Sequence, residues 1–270
     1  MIPSNTVILP VGIEKDGKIY RKVTVSEMNG FDEENMSTPA VRKNGAKAQS
    51  ILLRRCIQEI EGLVPLKTRP NLLIDESIVR SMCSYDRDFL FFNIRMIGGV
   101  EDVEFIAECP SCSAQSKYSK NISDLAVYEW DDSEPRSISI DLSKGIFVEG
   151  KEYTEFEWKF LNGEQQERIA RLDQNKVISA SLFMGCQGFR GLDDHVVTEN
   201  DFRMLPSQAR IDAMTQIAEE APGLQTAIEI ECPHCSYEFE HMLDVSLFFE
   251  PKAKPKKKDP KRTKKRRLRR

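Results

Sequence analysis

The sequence lacks several features that would place it in a common class of protein. No run of apolar residues approaches the roughly 18–20 that span a bilayer, so no membrane-spanning segment is predicted. The first residues, MIPSNTVILPVG, have neither the basic start nor the extended apolar stretch of a secretory signal. We therefore expect a protein that is not secreted by a signal peptide and whose thiols stay reduced.

Common catalytic motifs are also missing. The sequence contains no phosphate-binding loop, dinucleotide glycine fingerprint, H-E-x-x-H motif or nucleophile elbow. His195 lies in a polar stretch with no Ser or Cys partner pattern around it, and the carboxylate clusters at 131–134 and 192–194 are typical of solvated surfaces. We expect that the protein is not an enzyme.

Charge is distributed unevenly along the 270 residues. The whole chain has 39 Lys and Arg against 43 Asp and Glu, a formal net charge of −4. Residues 251–270 hold eight Lys, five Arg and one Asp, a net of +12, which leaves a net of −16 on the first 250 residues. Residues 251–270, called here the basic tail, have almost no apolar residues to bury, and their like charges repel, so we predict that they are disordered.

The seven cysteines are an odd number and too sparse for a disulfide scaffold. Four of them lie in two matching segments, Phe105-Ile-Ala-Glu-Cys-Pro-Ser-Cys-Ser113 and Ile228-Glu-Ile-Glu-Cys-Pro-His-Cys-Ser236. Each segment is a predicted strand that enters a tight turn, and such a turn directs two thiolates at one point. Two turns supply the four sulfur ligands of a tetrahedral Zn²⁺. The predicted ligands of this structural zinc are Cys109, Cys112, Cys232 and Cys235.

Other interpretations of these cysteines explain the pattern less well. Core packing does not account for cysteine pairs beside a proline in a turn, and a redox dithiol expects a thioredoxin-like βαβ context that is not predicted here. His234 and His241 lie near the second motif, so a site with three Cys and one His stays open. Four thiolates would close the coordination shell, which favours a structural site. The remaining cysteines lie in apolar helical contexts and are interpreted as core residues: Cys56, Cys83 and Cys186.

The hydrophobic pattern predicts an α+β fold, with a small N-terminal sheet with helices, a mostly helical middle lobe, and the Cys₄ zinc-knuckle site joining the two halves. A helix is predicted over 46–60, and either two helices or one broken helix over 74–97. Residues 113–231 lie between the two motifs. They are either an insertion, or a segment after which the chain returns to the first half and is held there by the metal. Four regions are predicted, an N-terminal α+β region ending in the first knuckle, a mixed, mostly helical lobe, the second knuckle with its return strand, and the basic tail: 1–125, 126–224, 225–250 and 251–270.

The order of these features resembles that of a known family. The order is an opening Leu9-Pro-Val-Gly12, a strand, an acidic stretch, two helices, the first Cys-Pro-x-Cys and a closing Cys-Pro-x-Cys. The other segments that contribute to the resemblance are Tyr20 to Val25, Ile51 to Ile57, Asp86 to Arg95 with Gly98, and Phe248-Phe249. Over residues 1–125 and 225–250 the sequence resembles the baseplate hub and hub-assembly proteins of T4-like tailed bacteriophages. A pattern of spacings carries this resemblance, and no single motif is diagnostic.

The resemblance implies a non-enzymatic component, or an assembly factor, of the hub of a contractile tail baseplate. The location would be the virion, or the host cytoplasm during assembly, and the partners would be other baseplate or tail-hub proteins. The resemblance does not cover the basic tail; the uneven charge leads to the hypothesis that this tail docks on acidic neighbours. It could instead be a solubilising end, or a segment that binds the acidic first 250 residues of its own chain or of a neighbouring subunit. The residues predicted to bind acidic neighbours are Lys256, Lys257, Lys258, Lys261, Arg262, Lys264, Lys265, Arg266, Arg267, Arg269 and Arg270.

Two alternatives stay open from the sequence. The first is a zinc-ribbon nucleic-acid-binding protein whose basic tail contacts the phosphate backbone. That tail has no aromatic residue for base stacking, so sequence-specific binding is not expected. The second is a metal-dependent hydrolase, which requires a metal with an open coordination position.

Overall fold

The computed structural model of the protein describes residues 5–36, 38–69, 72–99, 101–193 and 195–243. Helices and strands alternate along these residues, which confirms the predicted α+β class. None of the described helices is both long and apolar enough to cross a membrane. The basic tail, with the partner-binding residues predicted in it, lies outside the described residues.

A three-stranded antiparallel sheet forms the N-terminal part. Its strands, in spatial order, are β1 (Thr6–Lys15), β2 (Lys18–Val25) and β3 (Ile57–Ile60). The turn between β1 and β2 is Asp16-Gly17, and both residues have positive φ, 51° and 70°. That backbone matches the twist of an antiparallel hairpin and favours glycine, so the Asp-Gly pair fixes the register at Lys15 opposite Lys18.

Five helices follow or interrupt this sheet: α1 (Gly30–Met36), α2 (Pro39–Arg42), α3 (Gly45–Cys56), α4 (Glu76–Ser81) and α5 (Ser84–Ile97). Of the two alternatives predicted for 74–97, the structure has two helices, α4 and α5. The prediction that α3 continues to Ile60 is wrong, because Ile57 and Ile60 form β3 and pair with Val25 and Val23 of β2. Both isoleucines are fully buried there, so pairing with the sheet prevails over the helical spacing.

The rest of the described chain alternates short sheets and helices. Its elements are β4 (Asp102–Glu108), β5 (Gln115–Asn121), β6 (Val127–Tyr128), β7 (Ser137–Val148), β8 (Lys151–Lys159), α6 (Gly163–Ile169), α7 (Gln174–Gly185), β9 (Cys186–Phe189), α8 (Glu199–Met204), α9 (Ser207–Glu220), β10 (Gly223–Leu224), β11 (Ala227–Glu231) and β12 (Glu238–Met242). Asn162 and Gln165 form a capping box at the start of α6.

The buried apolar side chains form two cores. The first core contains the N-terminal sheet, α3 to α5, and residues of both Cys-containing hairpins, β4–β5 and β11–β12. The second core contains β7 to β9 and α7 to α9, together with Val11 and Cys83 from the N-terminal part. The segment between the two Cys motifs therefore builds most of the second core, and the chain then returns to the first. The four-region division stays a prediction.

Buried polar groups on α5 connect the two cores. The Asp86 carboxylate accepts a hydrogen bond from the backbone N–H of Val11 (2.8 Å), at a bulge in β1. Burial raises the pKa of Asp86 to about 6, although the N–H groups of Val11 and Gly12 lower it. The next residue, Arg87, is fully buried and donates to Gln166 of α6 and to Ser50 of α3, each at 2.9 Å. These hydrogen bonds connect α5 to β1, α3 and α6.

Candidate metal centre

The first Cys motif is the turn of the β4–β5 hairpin, called here the first hairpin. The strands pair in register from Asp102 opposite Asn121 to Glu108 opposite Gln115. Beyond the last pair, the N–H of Cys109 donates to the carbonyl of Ala114 (3.0 Å), and the N–H of Ser113 donates to the carbonyl of Cys109 (2.8 Å). Ser113 has a φ of 57°, which turns the chain back into β5.

The second Cys motif repeats this geometry in the β11–β12 hairpin, the second hairpin. The N–H of Cys232 donates to the carbonyl of Tyr237, and that of Ser236 donates to the carbonyl of Cys232, both at 2.9 Å. Ser236 has a φ of 55°. The same six-residue turn therefore occurs twice, as the two matching sequence segments predicted.

The four cysteines of the two turns lie together. Their Sγ atoms are all within 4.8 Å of one another. Across the hairpins, Cys109 lies 3.7 Å from Cys235, and Cys112 lies 3.6 Å from Cys232. A zinc–sulfur bond of about 2.3 Å gives a tetrahedron with sulfur–sulfur edges of about 3.8 Å, whereas a disulfide needs about 2.05 Å. The donor set and its spacing fit a four-coordinate metal ion, so these residues could hold one.

Burial differs within each cysteine pair. The first cysteine of each turn, Cys109 or Cys232, is buried, and the second, Cys112 or Cys235, is exposed. One side of the centre thus faces the first core, and the other faces solvent. A metal bound here would attach the turns to the core and remain accessible to a chelator.

The surroundings of Cys232 and Cys112 shift the pKa values of these two thiols in opposite directions. Burial raises the pKa of Cys232, but backbone N–H groups of His234 and Cys235 and the thiols of Cys112 and Cys235 outweigh it and lower that pKa to about 6. The pKa of Cys112 is raised to about 12; the N–H of Ala114 lowers it, but hydrogen bonds with the other three thiols and burial raise it. A bound cation would favour the thiolate at all four positions, because metal ligation deprotonates cysteine.

An aromatic stack joins the inner faces of the hairpins. Phe105 of β4 lies between Tyr118 of β5, with ring centroids 5.6 Å apart, and His241 of β12, with ring centroids 4.8 Å apart. His241 is therefore a packing residue between the hairpins. His234 contributes its backbone N–H to the Sγ of Cys232 at 3.4 Å. The sequence did not reveal this stack, although the alternation of buried residues in β4 places Phe105 on the inner face.

The other cysteines lie away from this centre. Burial raises the pKa of Cys56 to about 12 and that of Cys186 to about 11, and it also raises the pKa of the buried Cys83. Neutral thiols in such surroundings are poor nucleophiles and poor ligands. Within the described ranges, no second group of three or more Cys, His, Asp or Glu side chains lies close enough to hold a metal ion.

His195, the other polar candidate, lies 3.5 Å from the carboxylate of Asp201. It borders an open cavity of about 440 Å³ beside β9. Asp201 also accepts from the N–H and the hydroxyl of Thr198, at 2.7 and 2.9 Å, which caps the start of α8. This carboxylate therefore has a local structural role.

These observations define an α+β protein with a four-cysteine centre that is suited to a metal ion. Residues 70–250, about two thirds of the chain, match the family described as T4 bacteriophage base plate protein. The chain belongs to this family. The match includes the middle segment, which the resemblance over residues 1–125 and 225–250 did not cover. The matched family is that of base plate proteins in general and does not specify the hub. No curated protein and no solved structure is significantly similar to the chain.

Membership in this family indicates a structural protein of the phage tail, with other tail proteins as its neighbours. The baseplate resemblance seen in the sequence is confirmed at this level.

Proposed function

We propose that this protein is a non-enzymatic component or assembly factor of the baseplate hub of a contractile phage tail. In this proposal a structural zinc holds the two hairpins together, and the basic tail docks on acidic neighbours. The family match over residues 70–250 is the observation that carries the proposal. The hub position rests on the spacing of features in the N-terminal half, which lies partly outside that match.

The chemistry of the four-cysteine centre supports a structural role for the metal. Zn²⁺ is the preferred ion of closed four-thiolate sites, whereas catalytic zinc keeps one position for water or substrate. Four sulfur donors within 4.8 Å of one another would fill the tetrahedral shell of a bound ion. X-ray absorption of the purified protein should therefore give four sulfur ligands; a shell with an oxygen ligand would favour the hydrolase alternative.

Mass spectrometry of purified phage particles tests the location. A hub component should be present at a fixed copy number in mature particles, whereas an assembly factor should be present only in baseplate intermediates. Absence from both would contradict the proposal. The same measurement on particles from a strain that lacks the gene should show which neighbouring baseplate proteins are lost with it.

Deletion of residues 251–270 tests the docking role of the basic tail. We expect weaker co-purification with baseplate proteins, and weakening that depends on salt, because ion pairs at a surface are screened within about 10 Å at 0.1 M ionic strength. A matched control keeps the composition of residues 251–270 and shuffles their order, and it should behave as the unmodified protein does. Equal co-purification of the deletion variant at low salt would contradict the docking role.

The charge of +12 on residues 251–270 also fits the nucleic-acid alternative. Filter binding to DNA and RNA over a salt series separates the two functions. A phosphate-backbone binder should show affinity that falls steeply with salt, with a slope that disappears when the basic tail is deleted. If the basic tail docks on protein instead, deletion of the tail should not change the affinity of the protein for DNA or RNA at physiological salt.

A further inference from the structure

The outer face of the second hairpin carries glutamates in directly opposed pairs. Glu229 of β11 lies opposite Glu240 of β12, and Glu231 lies opposite Glu238. All four side chains are exposed, and within the described residues none of them has an ion pair or a side-chain hydrogen bond. Opposed side chains in an antiparallel pair have Cβ atoms about 5 Å apart, so like charges there repel and destabilise the pair.

The first hairpin has the same fold but no such face. At the positions equivalent to Glu229 and Glu240 it has Ile106 opposite Lys117. Lys117 forms an ion pair with Glu104 (2.8 Å), and Glu108 accepts a hydrogen bond from Gln115 (3.2 Å). The knuckle fold therefore does not require an unpaired acidic face, and the face of the second hairpin is a particular property of that hairpin.

The second hairpin also lies close in sequence to the most basic segment of the chain. β12 ends at Met242, whose side chain is 54% exposed on the same outer face, opposite Ala227. Residues 244–250 separate the described chain from the basic tail, and seven residues span at most about 25 Å. The five residue pairs of the hairpin are about 17 Å long. Residues 251–270 can therefore reach every glutamate of this face.

We infer that the basic tail of the same chain docks on the outer face of the second hairpin. Its Lys and Arg side chains would pair with Glu229, Glu231, Glu238 and Glu240, and their methylene groups would cover Met242. Covalent attachment gives the tail a high effective concentration at this face, which favours it over a free partner of similar charge. The inference rests on the docking role proposed above and names the surface that the tail occupies before a baseplate neighbour binds.

Zero-length crosslinking of the full-length protein tests this inference. A water-soluble carbodiimide joins a carboxylate to a lysine ammonium as an amide and is itself hydrated to a urea, so only groups in direct contact react. Mass spectrometry should find Lys residues of 251–270 joined chiefly to the four glutamates. Raising the salt to about 1 M, where the Debye length is about 3 Å, should reduce these products severalfold.

A pair of matched variants locates the acceptor. Glu229→Gln with Glu240→Gln removes one opposed pair from the second hairpin, and Glu104→Gln with Glu108→Gln removes two charges from the first. We expect the former to lower the total of tail crosslinks severalfold and the latter to leave it unchanged. Equal loss in both variants would overturn the inference. The salt series and the crosslink positions of the unmodified protein decide the matter if a variant fails to fold.

Mixing ordinary and ¹⁵N-labelled chains before crosslinking identifies the source of the basic tail. Products within one isotopic form support docking in the same chain, and mixed products would overturn it in favour of a neighbouring copy. The crosslinking result can be told apart from a test of the proposed function. If deletion of residues 251–270 weakens co-purification but the crosslinks spread over the whole acidic surface, the docking role stands and this docking face is wrong.

Discussion

The two Cys-containing hairpins share their turns and differ on both of their faces. Each turn places one buried and one exposed cysteine at the centre, with the same two backbone hydrogen bonds and the same positive φ at a serine. On the inner face, the first hairpin contributes Phe105 where the second has the smaller Ile228. On the outer face, the first hairpin pairs its charges internally, and the second places glutamate opposite glutamate.

The turns and the faces of these hairpins are under different constraints. The four sulfurs must meet at a single point, so the turn that presents them is the same in both hairpins. The faces only have to suit whatever packs on them. The inner faces differ in the size of their side chains and pack in one core, and the outer faces differ in charge.

The largest expected effect comes from breaking the shared centre from either side. Cys109→Ser and Cys232→Ser, alone or combined, should each reduce bound zinc from one per chain towards zero. Each should also lower the unfolding temperature, because structural zinc contributes folding free energy directly; in isolated zinc-finger peptides its binding is worth about 10–16 kcal/mol, an upper limit here. Metal analysis and thermal unfolding with and without a chelator measure both effects.

The two single variants should lose the same amount of zinc, because their cysteines belong to one site. If each hairpin bound its own metal, Cys109→Ser would leave a second site intact and half of the zinc in place. Cys186→Ser is the control, since that half-buried thiol lies outside the centre. It should retain the full zinc content. Normal stability of the unmodified protein with no zinc at all would contradict the metal assignment.

The sequence could predict that these four cysteines converge because the signal is local and repeated. A strand, a Cys-Pro-x-Cys-Ser turn and a polar return strand are encoded within about a dozen residues, and the same code occurs twice. The stack of Phe105 on His241 could not be predicted in this way. It joins residues from different hairpins, and it depends on how the first core orients them. That these cysteines bind zinc stays a proposal.

The second largest effect is expected on the inner faces. Phe105→Ala should lower the free energy of unfolding by about 3–5 kcal/mol, and Ile228→Ala by about 2–5 kcal/mol. Both side chains are buried. Phe105 should cost more, because its removal also ends two aromatic contacts worth about 0.5–1.5 kcal/mol each. Urea unfolding at equilibrium measures both. Phe105→Leu keeps most of the apolar volume and loses the stack, so a negligible cost of Phe105→Leu beside a large cost of Phe105→Ala would show that the stack contributes nothing.

The end of α3, like the aromatic stack, depends on contacts between residues that are distant in sequence, and it could not be predicted from the local pattern. The spacing of Ile51, Leu52, Cys56 and Ile60 suits a helical face and predicts a helix to Ile60. In the structure Ile57 and Ile60 pair with β2 instead. Pairing with a strand more than thirty residues away is not encoded in the local period. The Asp16-Gly17 turn and the capping box of α6, in contrast, each depend on residues that lie within a few positions of one another in sequence.

A smaller effect is expected when the outer face of the first hairpin is given the charge of the second. Lys117→Glu places a glutamate at the position equivalent to Glu240, and it removes the ion pair with Glu104. We expect a loss of about 0.2–1 kcal/mol at low salt, in line with cross-strand pairs in general, and a smaller loss at 1 M salt. Lys117→Gln removes the ion pair without adding a charge and should lose less. Urea unfolding at two salt concentrations decides; equal losses for both variants would show that repulsion is unimportant on this face.

The smallest effect should come from glycine substitutions in the turns, where the hairpins are alike. Ser113 and Ser236 have φ values of 57° and 55°, a region that costs an L-residue roughly 1–2 kcal/mol. Glycine avoids that cost, but it loses more conformational freedom on folding, worth about 0.5–1 kcal/mol. Ser113→Gly and Ser236→Gly should therefore each change the free energy of unfolding by no more than about 1 kcal/mol, and by the same amount. Ser→Val at either position, where a β-branched side chain meets positive φ, should destabilise the protein clearly and equally. Unequal responses, measured by urea unfolding of zinc-loaded protein, would show that the two turns are not held by the same geometric constraint.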